Sequence, residues 1–417
     1  MWYWFKKLGI NLILLVVSIG MTLIIAEILL RSIYPIESFQ YELEPPRHYF
    51  KADDEVGHDI NEKANRSFDL SVEGYTFPIW SNELGCFDTS YDGEENPVLL
   101  VGDSMTWAYV AIEHKWGKII EDLIQKRVLK CGVNGYTTKG ELIKAKRVIS
   151  QINMTPNLII VGYFTNDLAD RWLYPRNTVI DGYLLIQTKL IDPFSGEKKF
   201  FTREKLTREI TLYQQNVNLV KNIKDWLFKN SVLYHKSKNS YFLWKIAIFF
   251  GITQPPELPD TLYLMLDYTA KYPWLKEAWA LQLSDIKEFQ KYASEIGSKL
   301  LFVLIPPKEM VYDFLRIKEW NDITYEYPEI LKEFFVENDI EYYDITPDFR
   351  QFANQKTRRL LDAQKDLYYR YDGHLNIKGN RLAGLLVTKS LIEKGLIEIE
   401  DKNNLLTKIE KELQNFK

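Results

Sequence analysis

Ser104 follows a continuous apolar run, Val98-Leu99-Leu100-Val101, after only Gly102 and Asp103. A short run that is apolar at every position reads as a strand buried on both faces of a parallel sheet. The residue after it stands at the strand's carboxyl end, where open parallel sheets hold their ligands, and a serine there can act as a nucleophile. The G-x-S-x-G elbow is absent because position 106 is Thr. By itself, Gly102-Asp103-Ser104 also describes a plain turn into a helix. Other groups sharpen the reading. Cys131-Gly132-Val133-Asn134-Gly135-Tyr136 ends the next expected strand. Its glycines either make an ordinary turn or permit a tight backbone that points an N–H into a cleft. Asn166, in Tyr163-Phe164-Thr165-Asn166-Asp167, closes a third strand; its amide can cap the following helix or donate to a developing oxyanion. His374, in Asp372-Gly373-His374, precedes a helix expected from about Ile377 and is one of five histidines. A neutral imidazole within reach of Ser104 would take its proton, with a carboxylate fixing the tautomer.

Together these islands resemble the SGNH (GDSL-like) hydrolase superfamily, in the family's order and spacing, over about residues 98–166 and 299–390. The resemblance implies a three-layer α/β/α, flavodoxin-like fold. It makes Ser104 the nucleophile and His374 the general base, with oxyanion donors from the Ser104 and Gly135 backbone and the Asn166 side chain. The stretch GDSMTWAYVAIEHKWGKIIEDLI and the earlier Ser81-Asn82-Glu83-Leu84-Gly85 resemble the subset that carries an N-terminal membrane helix. One position departs from the pattern: the family's acid usually lies three residues before the histidine, where this chain has Tyr371, with Asp372 at two. Asp372 is the expected acid, because it is the carboxylate nearest His374 in sequence and a turn at Gly373 can fold it back. A backbone carbonyl is the alternative.

The set suits acyl transfer. Ser104 would attack an ester carbonyl, the oxyanion would sit among the donors, and the acyl group would pass to water or to an acceptor hydroxyl. One side-chain donor such as Asn166 is worth about 3–4 kcal/mol in such a transition state. No cofactor and no metal is expected: Asp103 and Asp167 have a simpler place at helix N-termini, and no His/Cys cluster with ligand spacing accompanies them.

The elements that must position these groups follow the pattern of a covered parallel sheet. Apolar strands are expected at 98–101, before Cys131, at 158–161, 299–305 and 340–345, alternating with helical periods and closing with a helix at 381–396. A largely helical insertion, roughly 173–298, leaves the core at the carboxyl end of the third strand and is expected to form a cap over Ser104. It opens with a β-hairpin, is broken by Pro255, Pro256 and Pro259, and holds an apolar stretch at 242–250 that reads as core packing rather than a lid or membrane-facing surface. Residues 35–97 read as a stalk and small β-rich entry, and 98–417 as the catalytic domain.

Residues 8–26 contain no charged side chain and are long enough to cross most of a bilayer. They predict a transmembrane anchor over 1–34, with Trp2, Tyr3 and Trp4 at the interface and Lys6 and Lys7 cytoplasmic, which puts the rest of the chain in the periplasm or outside a bacterial cell. A cleavable signal peptide is the rival, but its apolar region is usually shorter and ends at small residues. Glu27 and Arg31, four apart, can pair at the outer interface. The formal net charge of -4, from 53 basic and 57 acidic residues, argues against a nucleic-acid partner. Cys86 and Cys131, the only cysteines, are expected to be two buried free thiols, with a disulfide as the alternative. The leading functional reading is a membrane-anchored serine esterase acting on O-acyl esters of a glycan, lipid or small molecule. The alternatives are an O-acyltransferase of the same fold that modifies an envelope polysaccharide, and a catalytically silent glycan-binding or scaffold protein.

Overall fold

A computed structural model of the chain describes residues 2–33, 45–62, 68–192, 194–215, 223, 226–227, 230–238, 272–316, 324–355, 366–370 and 372–416. The apolar stretch at 242–250, the prolines at 255, 256 and 259, and Tyr371 lie outside them. The chain divides into two units, one made of 1–43, 71–76 and 208–257 and the other of the remainder.

The larger unit is α/β. Its entry segment forms the hairpin of β1 (Phe50–Asp53) and β2 (Gly57–Ile60); the strands β3 (Phe68–Val72) and β4 (Tyr75–Ile79), a second hairpin, are divided between the two units, residues 71–76 belonging to the smaller one. The core strands follow: β5 (Val98–Gly102), β6 (Val128–Lys130) and β7 (Leu158–Phe164). Helix α1 (Ser104–Trp107) follows β5, and α2 (Trp116–Ile124), α3 (Thr138–Ile152) and α4 (Asp167–Trp172) complete this half. The insertion opens as two hairpins, β8 (Asn177–Ile180) with β9 (Tyr183–Ile186) and β10 (Thr188–Asp192) with β11 (Glu197–Phe200), where the sequence suggests one. Helix α5 (Trp274–Glu295) leads back to β12 (Lys299–Ile305) and β13 (Glu341–Asp344); α6 (Ile377–Glu393) and α7 (Lys402–Phe416) close the chain. The last helix lies beyond the single closing helix that the sequence pattern suggests.

The central sheet is parallel, in the order β13-β12-β7-β5-β6. Alternate residues of each strand enter opposite cores. Leu99, Val101, Ile159, Val161, Phe302 and Leu304 meet α3 and α5 on one face, while Val98, Leu100, Leu158, Ile160, Leu301 and Val303 meet α2, α6 and α7 on the other. Burial on both faces is why these strands are apolar at nearly every position, each such side chain contributing about 1.5–3 kcal/mol relative to exposure. The chain leaves β5 toward β6 on one side and returns to β7 on the other, so the loops after β5 and β7 diverge at the sheet's carboxyl edge. That switch point is where such folds open a crevice. Ser104 follows β5 and Asn166 follows β7.

Cys86 and Cys131 are joined in a disulfide, which corrects the expectation of free thiols. Burial is as expected, both being at most 1% exposed; what it does not reveal is the turn that brings them together. The Asn82 side chain accepts hydrogen bonds from the Leu84 and Cys86 N–H groups (3.0 Å each), and Asn82 N–H donates to the Cys86 carbonyl at 2.9 Å. This lays Cys86 against the end of β6 with a Cα–Cα distance of 4.6 Å, inside the range a disulfide bridges. The cross-link spans 45 residues, for which loop-closure entropy gives about 4 kcal/mol. Replacing both cysteines by alanine is expected to lower unfolding stability by about 2–5 kcal/mol in urea titrations, and non-reducing digestion of the native protein should yield a peptide pair linked through Cys86 and Cys131.

In the smaller unit, the helix Trp2–Ile33 contains a stretch, Gly9–Ile33, of mean hydropathy 2.7 and with no buried residue, long and apolar enough to cross a membrane. Near its end Glu27 and Arg31 pair at 2.7 Å. The Glu27 carboxylate also accepts from Ser231 Oγ (2.8 Å) and from the N–H groups of Val232 (3.0 Å) and Leu233 (2.9 Å), at the start of the short helix Val232–Lys238. A carboxylate there satisfies amides that a helix start leaves without partners.

Candidate active site

The turn that presents Ser104 depends on two glycines. A Cβ on Gly102 or on Gly162, which are paired across β5 and β7, would lie 2.1 Å from Thr106 Oγ1. With hydrogen in both places, α1 can sit directly on the sheet edge. Asp103 caps that helix, its Oδ1 accepting from Met105 N–H at 2.8 Å. The loop after β6 packs against the same helix: a Cβ on Gly132 would come within 2.4 Å of Trp107 N.

The structure brings Ser104, His374 and Asp372 together. His374 Nε2 lies 2.8 Å from Ser104 Oγ, and its Nδ1 lies 2.5 Å from Asp372 Oδ1. The acid reaches from two residues away because the same Oδ1 also accepts the His374 backbone N–H at 2.8 Å, closing a tight side-chain turn over Gly373. Lys308 Nζ donates to the Asp372 carbonyl at 3.0 Å and holds the outer side of that turn. Burial alone would pull the His374 pKa down, but the Asp372 charge and hydrogen bond, with Asp103 nearby, outweigh it and the net shift is upward. Asp372 moves the other way: burial raises it, and the charge and hydrogen bonds of His374 prevail and lower it.

Asn166 stands at the N-cap position of α4, yet its side chain caps nothing there. Its Nδ2 donates instead to Asp170 Oδ2 at 2.8 Å, and Asp170 in turn pairs with Arg176 from the start of the insertion. One of the two amide hydrogens is thereby committed, which sets the plane of the other. Gly135 lies in the loop after β6 with φ +73°, a backbone conformation that favours glycine, and a Cβ there would meet Asn177 Nδ2 at 2.5 Å. The start of the insertion thus borders the site through Arg176 and Asn177.

Asp103, Glu141 and Asp167 are all fully buried near this edge. Burial pushes Asp103 up to about 7, and it pushes Glu141 and Asp167 well above the ordinary carboxylate range, each reinforced by its neighbours' like charge. Asp167 begins α4, as its sequence position suggests, and desolvation there outweighs the favourable helix start and raises its pKa. Among the described residues no group of three His, Cys, Asp or Glu side chains is placed to hold a metal ion.

Several groups at the site escape a sequence reading. Asp170 has a signal in retrospect, the i,i+4 spacing from Asn166 at the start of a helix. Arg176, Lys308 and Tyr109 have none, because each reaches the site from a different element. Tyr109 packs its ring 4.2 Å from that of His374, and Tyr369 Oη donates to the Tyr109 carbonyl at 2.7 Å.

No family model matches the sequence, and no curated protein matches it. Solved structures similar to it include a catalytic mutant of an acetylxylan esterase from Geobacillus stearothermophilus, 10% identical, covering 73% of this chain and 96% of that one at a TM-score of 0.35. A psychrotrophic esterase from a Pseudoalteromonas species is 11% identical, with 72% and 99% covered and a TM-score of 0.32. A GDSL-like lipase from Bacteroides thetaiotaomicron is 10% identical, with 72% and 88% covered and a TM-score of 0.29.

Proposed function

We propose that the chain is a membrane-anchored serine esterase of the SGNH type that hydrolyses O-acyl esters through an acyl-enzyme. The observation that carries this reading is the continuous contact from Ser104 Oγ through His374 to Asp372, at 2.8 and 2.5 Å. In the proposed reaction His374 Nε2 takes the Ser104 proton as Oγ attacks the ester carbonyl. Asp372 holds the proton on Nδ1 and stabilises the imidazolium. The backbone N–H groups of Ser104 and Gly135 and the Asn166 amide receive the oxyanion. Collapse expels the alcohol with the proton from His374, and the same imidazole then activates water against the acyl-enzyme.

The anchor and location belong to the same proposal. The apolar helix would span the bilayer with Lys6 and Lys7 inside, and the Cys86–Cys131 disulfide supports an oxidising compartment on the far side. The test is a fluorophosphonate probe applied to the full-length protein in membranes. Peptide mapping should find the probe on Ser104, and protease added to intact spheroplasts should digest the catalytic unit. No labelling of Ser104 removes the esterase reading, and a domain protected from protease removes the topology. Labelling without turnover of simple esters would transfer the reading to an O-acyltransferase with a dedicated acceptor.

A further inference from the structure

We infer that His58, on the entry hairpin that precedes the central sheet, is a positioning residue that aims the Gly135 N–H into the oxyanion site; this rests on the esterase reading above. His58 lies on β2, is 1% exposed, and places Nε2 2.8 Å from the Asn134 carbonyl oxygen. A carbonyl only accepts, so Nε2 carries the proton. That carbonyl and the Gly135 N–H belong to one peptide group, and in a trans peptide the two point in opposite directions. Whatever holds the Asn134 oxygen therefore fixes the line along which the Gly135 N–H points. A hydrogen bond received at the oxygen also polarises the amide and makes its N–H a better donor.

The grip is two-sided. Tyr136 Oη donates to the His58 carbonyl at 2.8 Å, so the residues on either side of Gly135 are both tied to His58. The imidazole is held edge-on by the rings of Phe50 and Tyr136, at centroid distances of 5.4 and 5.3 Å. The Asn134 side chain runs toward the base, its Nδ2 donating to Tyr109 Oη at 2.8 Å, and the Tyr109 ring is the one packed on His374. Oxyanion loop and general base are thereby connected through Asn134 and Tyr109, and the loop is fixed to the hairpin by His58. Burial lowers the His58 pKa and outweighs its Asn134 hydrogen bond and the charges of Asp59 and Asp53, so the ring is neutral at ordinary pH. Its Nδ1 is buried with no hydrogen-bond partner among the described residues, which leaves the Nε2 bond as the ring's polar contact.

The test compares His58→Gln with His58→Asn in the full-length protein, using p-nitrophenyl acetate. A glutamine amide can place an N–H where Nε2 stands; an asparagine amide stops near Nδ1 and cannot reach the Asn134 oxygen. Removing an oxyanion donor costs about 10²–10³ in turnover, and misaiming one should cost part of that. The expected result is a kcat about tenfold to a hundredfold lower in His58→Asn with KM within about twofold, and a kcat within about threefold of wild type in His58→Gln. Equal kcat in both variants, or losses that follow thermal stability rather than the donor, overturns the inference. Wild type and Ser104→Ala are assayed alongside. An active wild type with unaffected His58 variants removes the His58 assignment alone, whereas a wild type no faster than Ser104→Ala removes the esterase reading and this inference with it.

Discussion

Ser104→Ala is expected to reduce ester turnover by about 10⁴-fold or more, and His374→Ala by a similar factor. The alanine at 104 leaves no atom to form the acyl-enzyme, while the alanine at 374 leaves a hydroxyl whose proton has no acceptor at 2.8 Å. Because both serve one step, their losses should not multiply. The double variant is expected to be scarcely slower than either single one, the residual rate coming from the oxyanion donors and substrate binding. Steady-state kinetics on a generic ester, with thermal melts to show that each variant is folded, checks this. A double variant slower than the singles by the product of their losses would mean that the two residues act independently, against the relay described above.

Asp372→Asn is expected to lower kcat by roughly 10⁴-fold, the effect of exchanging a triad acid for an amide that leaves the wrong imidazole tautomer. It also carries a signature in pH. His374 works as a base only when neutral, so kcat/KM rises with pH through its pKa. Burial lowers that pKa, but Asp372 and Asp103 raise it further, placing the rising limb of the native enzyme above the ordinary histidine value of 6.5. Removing the Asp372 charge withdraws the largest of the raising effects, and the limb of the residual activity should move to lower pH. A pH profile of kcat/KM for both proteins measures the shift. A small loss of kcat with an unmoved limb would assign the orienting role to a group other than Asp372.

What was legible in the sequence is what local chemistry dictates. The strands that carry Ser104 and Asn166 are apolar at nearly every position because both faces of the sheet are covered, and that pattern places the two residues at carboxyl ends before any coordinates are known. Glycine at 102 likewise shows in the sequence as a strand-end turn. The apolar N-terminal helix is legible for the same reason, since a continuous run without charge has few environments that tolerate it.

Other features depend on contacts between residues far apart in the chain, and no periodicity reports them. That Asp372 reaches His374 from only two residues away depends on a turn in which one carboxylate oxygen accepts both the backbone N–H and Nδ1 of the histidine. The Cys86–Cys131 bond was decided by the Asn82 turn, which sets the two Cα atoms 4.6 Å apart across 45 residues of sequence. His58 is a lone histidine in a polar entry segment until the hairpin folds and puts its Nε2 on the Asn134 carbonyl. The sequence by itself determined the sheet, the order of its strands along the chain and the residues at the carboxyl ends of β5 and β7, because burial selects side chains locally. Only the tertiary structure decided which distant groups complete the site, because hydrogen-bond geometry is a property of pairs brought together by folding.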